Sequence, residues 1–233
     1  MSGADRGPIE TRDWPSALSA HAVSDAGERR LFGYDVERDL AQHYAFSDTL
    51  LLALTGELPD EPRSRAFAAV LTFASAMSVA EAPIHASVLA RVCGVRTGGV
   101  LAIGAMALGE HVDAQLRSIG AALDSEVVEL PPELRAHDVT ERASVERLRS
   151  AIGAGLDVSA LAADPSRDVA IVAVLRACGL STTFQLGAAL SVARLPSVLA
   201  EAAATKVGDF KGYPMEVPAF EYDPSAAPAA GRP

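Results

Sequence analysis

At 233 residues the chain is long enough to bury a sizeable core in one or two domains. Its formal net charge of -10, with Lys206 and Lys211 the sole lysines among 20 basic residues, disfavours nucleic acid and anionic membrane as general partners, yet leaves room for a local arginine cluster to hold an anionic ligand. A hydrophobic fraction of 49% with only 5% aromatics makes alanine, leucine and valine the core builders, which suits closely packed helices.

The N-terminal stretch has no apolar segment of the kind that directs secretion, and no run approaches eighteen apolar residues free of charge. A soluble, cytoplasmic protein without a membrane partner is therefore expected, with Cys93 and Cys178 as reduced, buried thiols. Residues 1–15 and 224–233 are rich in Pro, Gly, Ala and Ser and read as mobile tails. Between them the apolar residues recur at helical spacing with no succession of alternating strands, so the fold class expected is all-α.

In chain order, Ser47 is placed to cap a helix through Leu50, Leu51 and Leu54, which Gly56 ends in the left-handed conformation. Asp60 with Pro62 opens the next, through Phe67, Val70, Leu71 and Phe73. A third runs from about Pro83 to Val92. Thr97 opens a helix to Gly109 whose Gly98, Ala102, Ala105 and Gly109 make a smooth face, suited to a close helix pair, to a subunit interface, or to ordinary core packing. Residues 112–167 are more charged, contain Pro131-Pro132, and read as a reduced small domain or lid; residues 16–111 and 168–223 form the large helical domain. From Asp168 the apolar pattern resumes, and Ser181 begins a long amphipathic helix that Pro196 kinks. The chain leaves as an extended strap, GYPMEVPAFEYDP.

Three blocks within residues 31–222 share an order and spacing. The first is Gly33-Tyr34-Asp35 followed by Leu40-Ala41, Phe46 and Gly56-Glu57-Leu58-Pro59. The second is Ala86-Ser87, then Thr97-Gly98 and the small-residue helix to Gly109-Glu110-His111. The third is Asp168, Gly179 eleven residues on, and Ala193-Arg194. Together they resemble the citrate synthase family. The resemblance implies a citrate synthase-like multi-helical fold and a homodimer joined through antiparallel helices that include 97–109. It also implies a cleft site for a small-molecule carboxylate or an acyl-CoA; coenzyme A enters as part of a possible thioester substrate, and no other cofactor and no metal is expected.

In that family an aspartate removes an α-proton of a thioester while a histidine donates a hydrogen bond to the enolate oxygen, and arginines hold the oxo-acid. The pairing is a chemical necessity, since a carboxylate cannot remove so weakly acidic a proton unless the oxyanion is stabilised as it forms. By resemblance, Asp168 falls on the base and Arg194 on a carboxylate holder; without it, Asp168 reads equally as a helix cap and Arg194 as half of an internal ion pair. If Gly109 ends its helix, the histidine position falls at Val112, which cannot donate; a loop one residue shorter brings His111 to it, and otherwise His111 is a solvated or helix-capping residue. His85 stands in the asparagine place of an Asn-Ala-Ser motif, one helical turn from Ala82 where the family's substrate histidine falls, and can reach a ligand from the same face. No Gly-His-Arg lies between residues 112 and 167, and Val217 replaces the last family arginine.

These departures imply a divergent enzyme, making or breaking a C–C bond on an acyl-CoA or oxo-acid substrate, rather than a standard citrate synthase. The competing reading is a catalytically inactive homologue that binds or regulates a partner. No zinc-type spacing, phosphate loop or Gly-x-Ser-x-Gly offers other chemistry.

Overall fold

In the computed structural model the described residues are 19–24, 27–123, 130–158 and 164–210, without side chains at 120–123. The mobile tails and the C-terminal strap expected from sequence, Val217 included, lie outside them.

The chain enters through a small antiparallel sheet of β1 (Val23–Ser24), β2 (Arg30–Leu31) and β3 (Tyr34–Asp35), in that spatial order. A π-helical turn, Val36–Leu40, leads into α1 (Ala41–His43). Asp35 caps that turn by accepting from the amides of Glu37 and Arg38, so the Gly33-Tyr34-Asp35 triplet of the first block builds scaffold. The amides, that of Arg38 foremost, hold the Asp35 carboxyl below its ordinary range.

Helix α2 spans Phe46–Thr55 and ends at Gly56, whose φ of 81° takes the left-handed cap the sequence predicts. Its start differs from expectation. Ser47 is not the cap; the cap is Ala45, two residues earlier, because Asp48 reaches back to the Ala45 amide and is itself held by the Ser64 hydroxyl at 2.6 Å. Helix α3, Glu61–Ala74, starts as predicted, with the Asp60 carboxylate accepting from the Arg63 amide. Helix α4, Ala82–Val92, also falls where predicted, but Cys93 is its last cap residue beside the left-handed Gly94 and is exposed; Cys178 alone is a buried thiol.

Helix α5 departs most from the sequence reading. It runs from Thr97 to Leu123 straight through Gly109, with no loop over 109–114. One interior glycine costs about 1 kcal/mol against alanine. Leu108, Val112 and Leu116 are buried on one face, each worth about 1.5–3 kcal/mol, and that burial carries the helix through. The close approach also falls elsewhere than predicted. Gly98, Ala102 and Ala105 are exposed, whereas a Cβ at Gly104 would lie 2.5 Å from the Ser87 hydroxyl and 2.8 Å from Val198, where α5 meets α4 and the last helix.

Within the segment expected to be a small domain, α6 (Val139–Ile152) puts Val145, Leu148 and Ile152 into the same buried cluster as Leu51, Phe67 and Val112. Helix α7 (Arg167–Ala177) is the centre of that cluster, with every residue from Val169 to Leu175 buried, as befits a helix apolar on all sides. Gly179, φ 102°, ends it, and the Arg63 guanidinium bonds the Cys178 carbonyl across the turn.

Helix α8 spans Thr183–Ala204, capped by Thr182 rather than begun at Ser181, and stays helical through Pro196. By length and composition it is long enough to cross a membrane, but it packs against α2, α3, α4, α5 and α7 and carries the buried Arg194.

Candidate functional site

Asp168 occupies the first turn of α7, where a carboxylate meets the positive end of the helix dipole. It is not the cap. Ser166 fills that role, its hydroxyl accepting from the Val169 amide. The turn is fixed from behind by Glu141 of α6, whose carboxylate accepts at 2.8 Å from the amides of both His137 and Arg167. The Ser166 amide adds a bond to the Leu134 carbonyl. The side chain of Asp168 is 46% exposed and faces Arg194 of α8, Oδ1 to Nη2 4.0 Å.

Arg194 is only 5% exposed. Burial pushes its guanidinium below the ordinary value, against the opposing pull of the Asp168 carboxylate and then that of Glu81. Its Nη1 is buried without a hydrogen-bond partner among the described residues, and the Asp168 contact is beyond hydrogen-bond length. A buried guanidinium so thinly met is a group with capacity for another anion.

Both residues line a cavity of about 400 Å³ together with Glu81, His111, Gln115 and Arg167. His111 and Gln115, four residues apart, share one face of α5, and Val112 points into the core. The loop register that displaces the histidine in favour of Val112 is thereby corrected: with α5 continuous, His111 itself reaches the cavity that holds Asp168. It is neither a cap nor free in solvent, for its Nε2 lies 3.3 Å from Glu81 Oε2. Arg167 is pinned at the wall, donating to the Phe73 carbonyl with its guanidinium 4.7 Å above the Phe73 ring.

His85, expected to hold ligand, stands exposed on α4 and is not among the cavity's lining residues. The α4 residue that does line it is Glu81, one turn earlier. Sequence reasoning missed Glu81, Gln115 and Arg167. Gln115 follows from His111 once α5 is taken as continuous, and Arg167 from its adjacency to Asp168. Glu81 carried no local signal beyond a helix start. Among the described residues no group of histidine, cysteine and acidic side chains is arranged to hold a metal ion. A second groove, about 320 Å³, is lined by Phe46, Leu50, Leu71 and Pro196 and offers no titratable side chain.

No family model and no curated protein matches the sequence. Solved structures do match the fold. Citryl-CoA lyase from Hydrogenobacter thermophilus superposes with a TM-score of 0.68 at 18% identity, over 88% of this chain and 96% of that one. ATP citrate lyase from Methanosaeta concilii, in complex with (3S)-citryl-CoA, gives 0.60 at 12% identity, and that from Methanothrix soehngenii, in complex with citrate and coenzyme A, gives 0.62 at 12%. Each match covers 89% of this chain, which corresponds to 43% of the ATP citrate lyase chain. A likeness that spans nearly all of both chains in the first case shows that this chain has the citrate synthase-like helical fold.

Proposed function

We propose that the protein makes or breaks a C–C bond by acid/base chemistry on a carboxylate-bearing acyl-CoA or oxo-acid, and that it is not a standard citrate synthase. The observation that carries this reading is the convergence of Asp168, His111 and the under-satisfied Arg194 on one cavity. In the bond-making direction Asp168 takes the α-proton of a thioester, His111 meets the oxygen on which negative charge develops, and Arg194 holds the carboxylate of the oxo-acid. In the reverse direction the same groups receive the enolate, which Asp168 reprotonates. Citryl-CoA, the ligand of one structural relative, is the first substrate to try. Its cleavage to acetyl-CoA and oxaloacetate, followed by chromatography, is expected with the wild-type chain and lost in Asp168→Asn; no cleavage by wild-type protein contradicts the reading for this substrate.

A second reading, a non-catalytic partner acting through a shared dimer surface, is favoured by the α5 face that Ile103 and Met106 share, with Met106 74% exposed. The same face supports a homodimer in the enzymatic reading.

A further inference from the structure

Glu81 is the N-cap residue of α4, a position where an acidic side chain ordinarily accepts from the amides of its own helix. It forgoes that bond. Its Oε1 instead turns back to accept from the Ser78 amide at 2.5 Å, and Oε2 lies 3.3 Å from His111 Nε2 on α5. One oxygen anchored to backbone prevents the carboxylate from swinging, so the other presents a fixed acceptor to the imidazole. Arg194, Arg167 and Asp168 are the other charged groups on the cavity, and Glu81 stands near enough to Arg194 to act on its charge.

We propose that Glu81 is a positioning residue for His111: it keeps the ring proton on Nε2 and leaves Nδ1 as the nitrogen that a ligand in the cavity meets. A neutral imidazole carries one proton, and a carboxylate, which only accepts, selects the tautomer that donates to it. When the ring is doubly protonated, Nδ1–H becomes a charge-assisted donor while Nε2–H remains on Glu81, the state suited to a developing oxyanion. This deepens the reading under Proposed function and rests on it for its catalytic consequence, but not for the tautomer.

Glu81→Gln makes the test sharp. Its carbonyl can keep the Ser78 amide, which turns the NH2 toward His111 and forces the neutral ring to accept at Nε2 and carry its proton on Nδ1. Long-range proton–nitrogen correlation on 15N-histidine-labelled protein at about pH 8, where an ordinary imidazole is neutral, reads the tautomer, with His111→Gln identifying the resonance among the five histidines. The wild type is expected to show Nε2–H, Glu81→Gln to show Nδ1–H, and Glu81→Asp to return toward the wild-type pattern. Citryl-CoA cleavage is expected to fall at least about tenfold in kcat in Glu81→Gln, with KM within about twofold, because a neutral amide no longer supports the doubly protonated ring and leaves Nδ1–H without its charge. An unchanged tautomer in Glu81→Gln, or cleavage at the wild-type rate, overturns the assignment. If the wild type cleaves nothing, the enzymatic reading fails while the tautomer spectra still decide the role of Glu81.

Discussion

Arg194 is the residue on which the alternatives divide. As half of a structural ion pair, its removal should leave an uncompensated partner and cost about 3–5 kcal/mol. Here the partner, Asp168, is half exposed and 4.0 Å away, so water can solvate it once the arginine is gone. Replacing a buried, thinly paired guanidinium by an apolar side chain of similar volume is then close to neutral. Arg194→Met is expected to melt within a few degrees of wild type, by calorimetry, while losing carboxylate binding; a fall of about 10 °C or more would mark it as structural. The two thiols give a second prediction. Burial pushes Cys178 up to about 12, so at pH 8 only about one thiol in ten thousand there is ionised, and access is closed as well. A disulfide reagent should titrate one thiol, Cys93, rapidly in native protein and two only after denaturation; two fast thiols would contradict the burial of Cys178.

At the scale of elements, the contact that fixes the site is the three-helix meeting at Gly104, because α4 carries Glu81, α5 carries His111 and α8 carries Arg194. Gly104→Ala gains about 1 kcal/mol of helix propensity but must displace Ser87, whose hydroxyl is bonded to the Pro83 carbonyl, and Val198. The expected net effect is a loss of about 0–2 kcal/mol in denaturant unfolding, with a larger loss of ligand affinity; a stabilised variant with full affinity would show that the contact is slack. The same elements show what the sequence made legible. Asp60 and Gly56 announce themselves because capping and positive φ are satisfied by few residue types. The end of α5 was misplaced because a single glycine looks like a stop, and nothing local reveals that buried Leu108, Val112 and Leu116 outweigh it. That one error brought His111 to the site only through a shortened loop and hid Gln115 altogether. Asp168 and Arg194 were found through the spacing of the third block, whereas Glu81 depends on a crossing between α4 and α5 that no local pattern encodes.

For the whole molecule, α2, α3, α5, α6, α7 and α8 share one core, to which α6 contributes its apolar face, while α4 packs Ile84, Val88 and Val92 in a second cluster with Leu108 of α5 and Val198 of α8. What the core leaves outside is the face of α5 bearing Ile103 and Met106, the latter 74% exposed. If two copies pair there, Met106→Glu places a charge in the joint. The wild type is expected to elute with the mass of a dimer by light scattering and Met106→Glu as a monomer; a wild-type monomer at every concentration tried would remove the basis for pairing through this face.

In the proposed function Asp168, His111 and Arg194, which line one cavity, act as proton acceptor, oxyanion partner and anion holder. Deuterium incorporation from D2O into the methyl group of acetyl-CoA, followed by mass spectrometry with oxaloacetate or an unreactive analogue present, tests it most directly. The account predicts exchange in the wild-type protein, reduced at least about a hundredfold in Asp168→Asn. Exchange that proceeds equally in Asp168→Asn would contradict it.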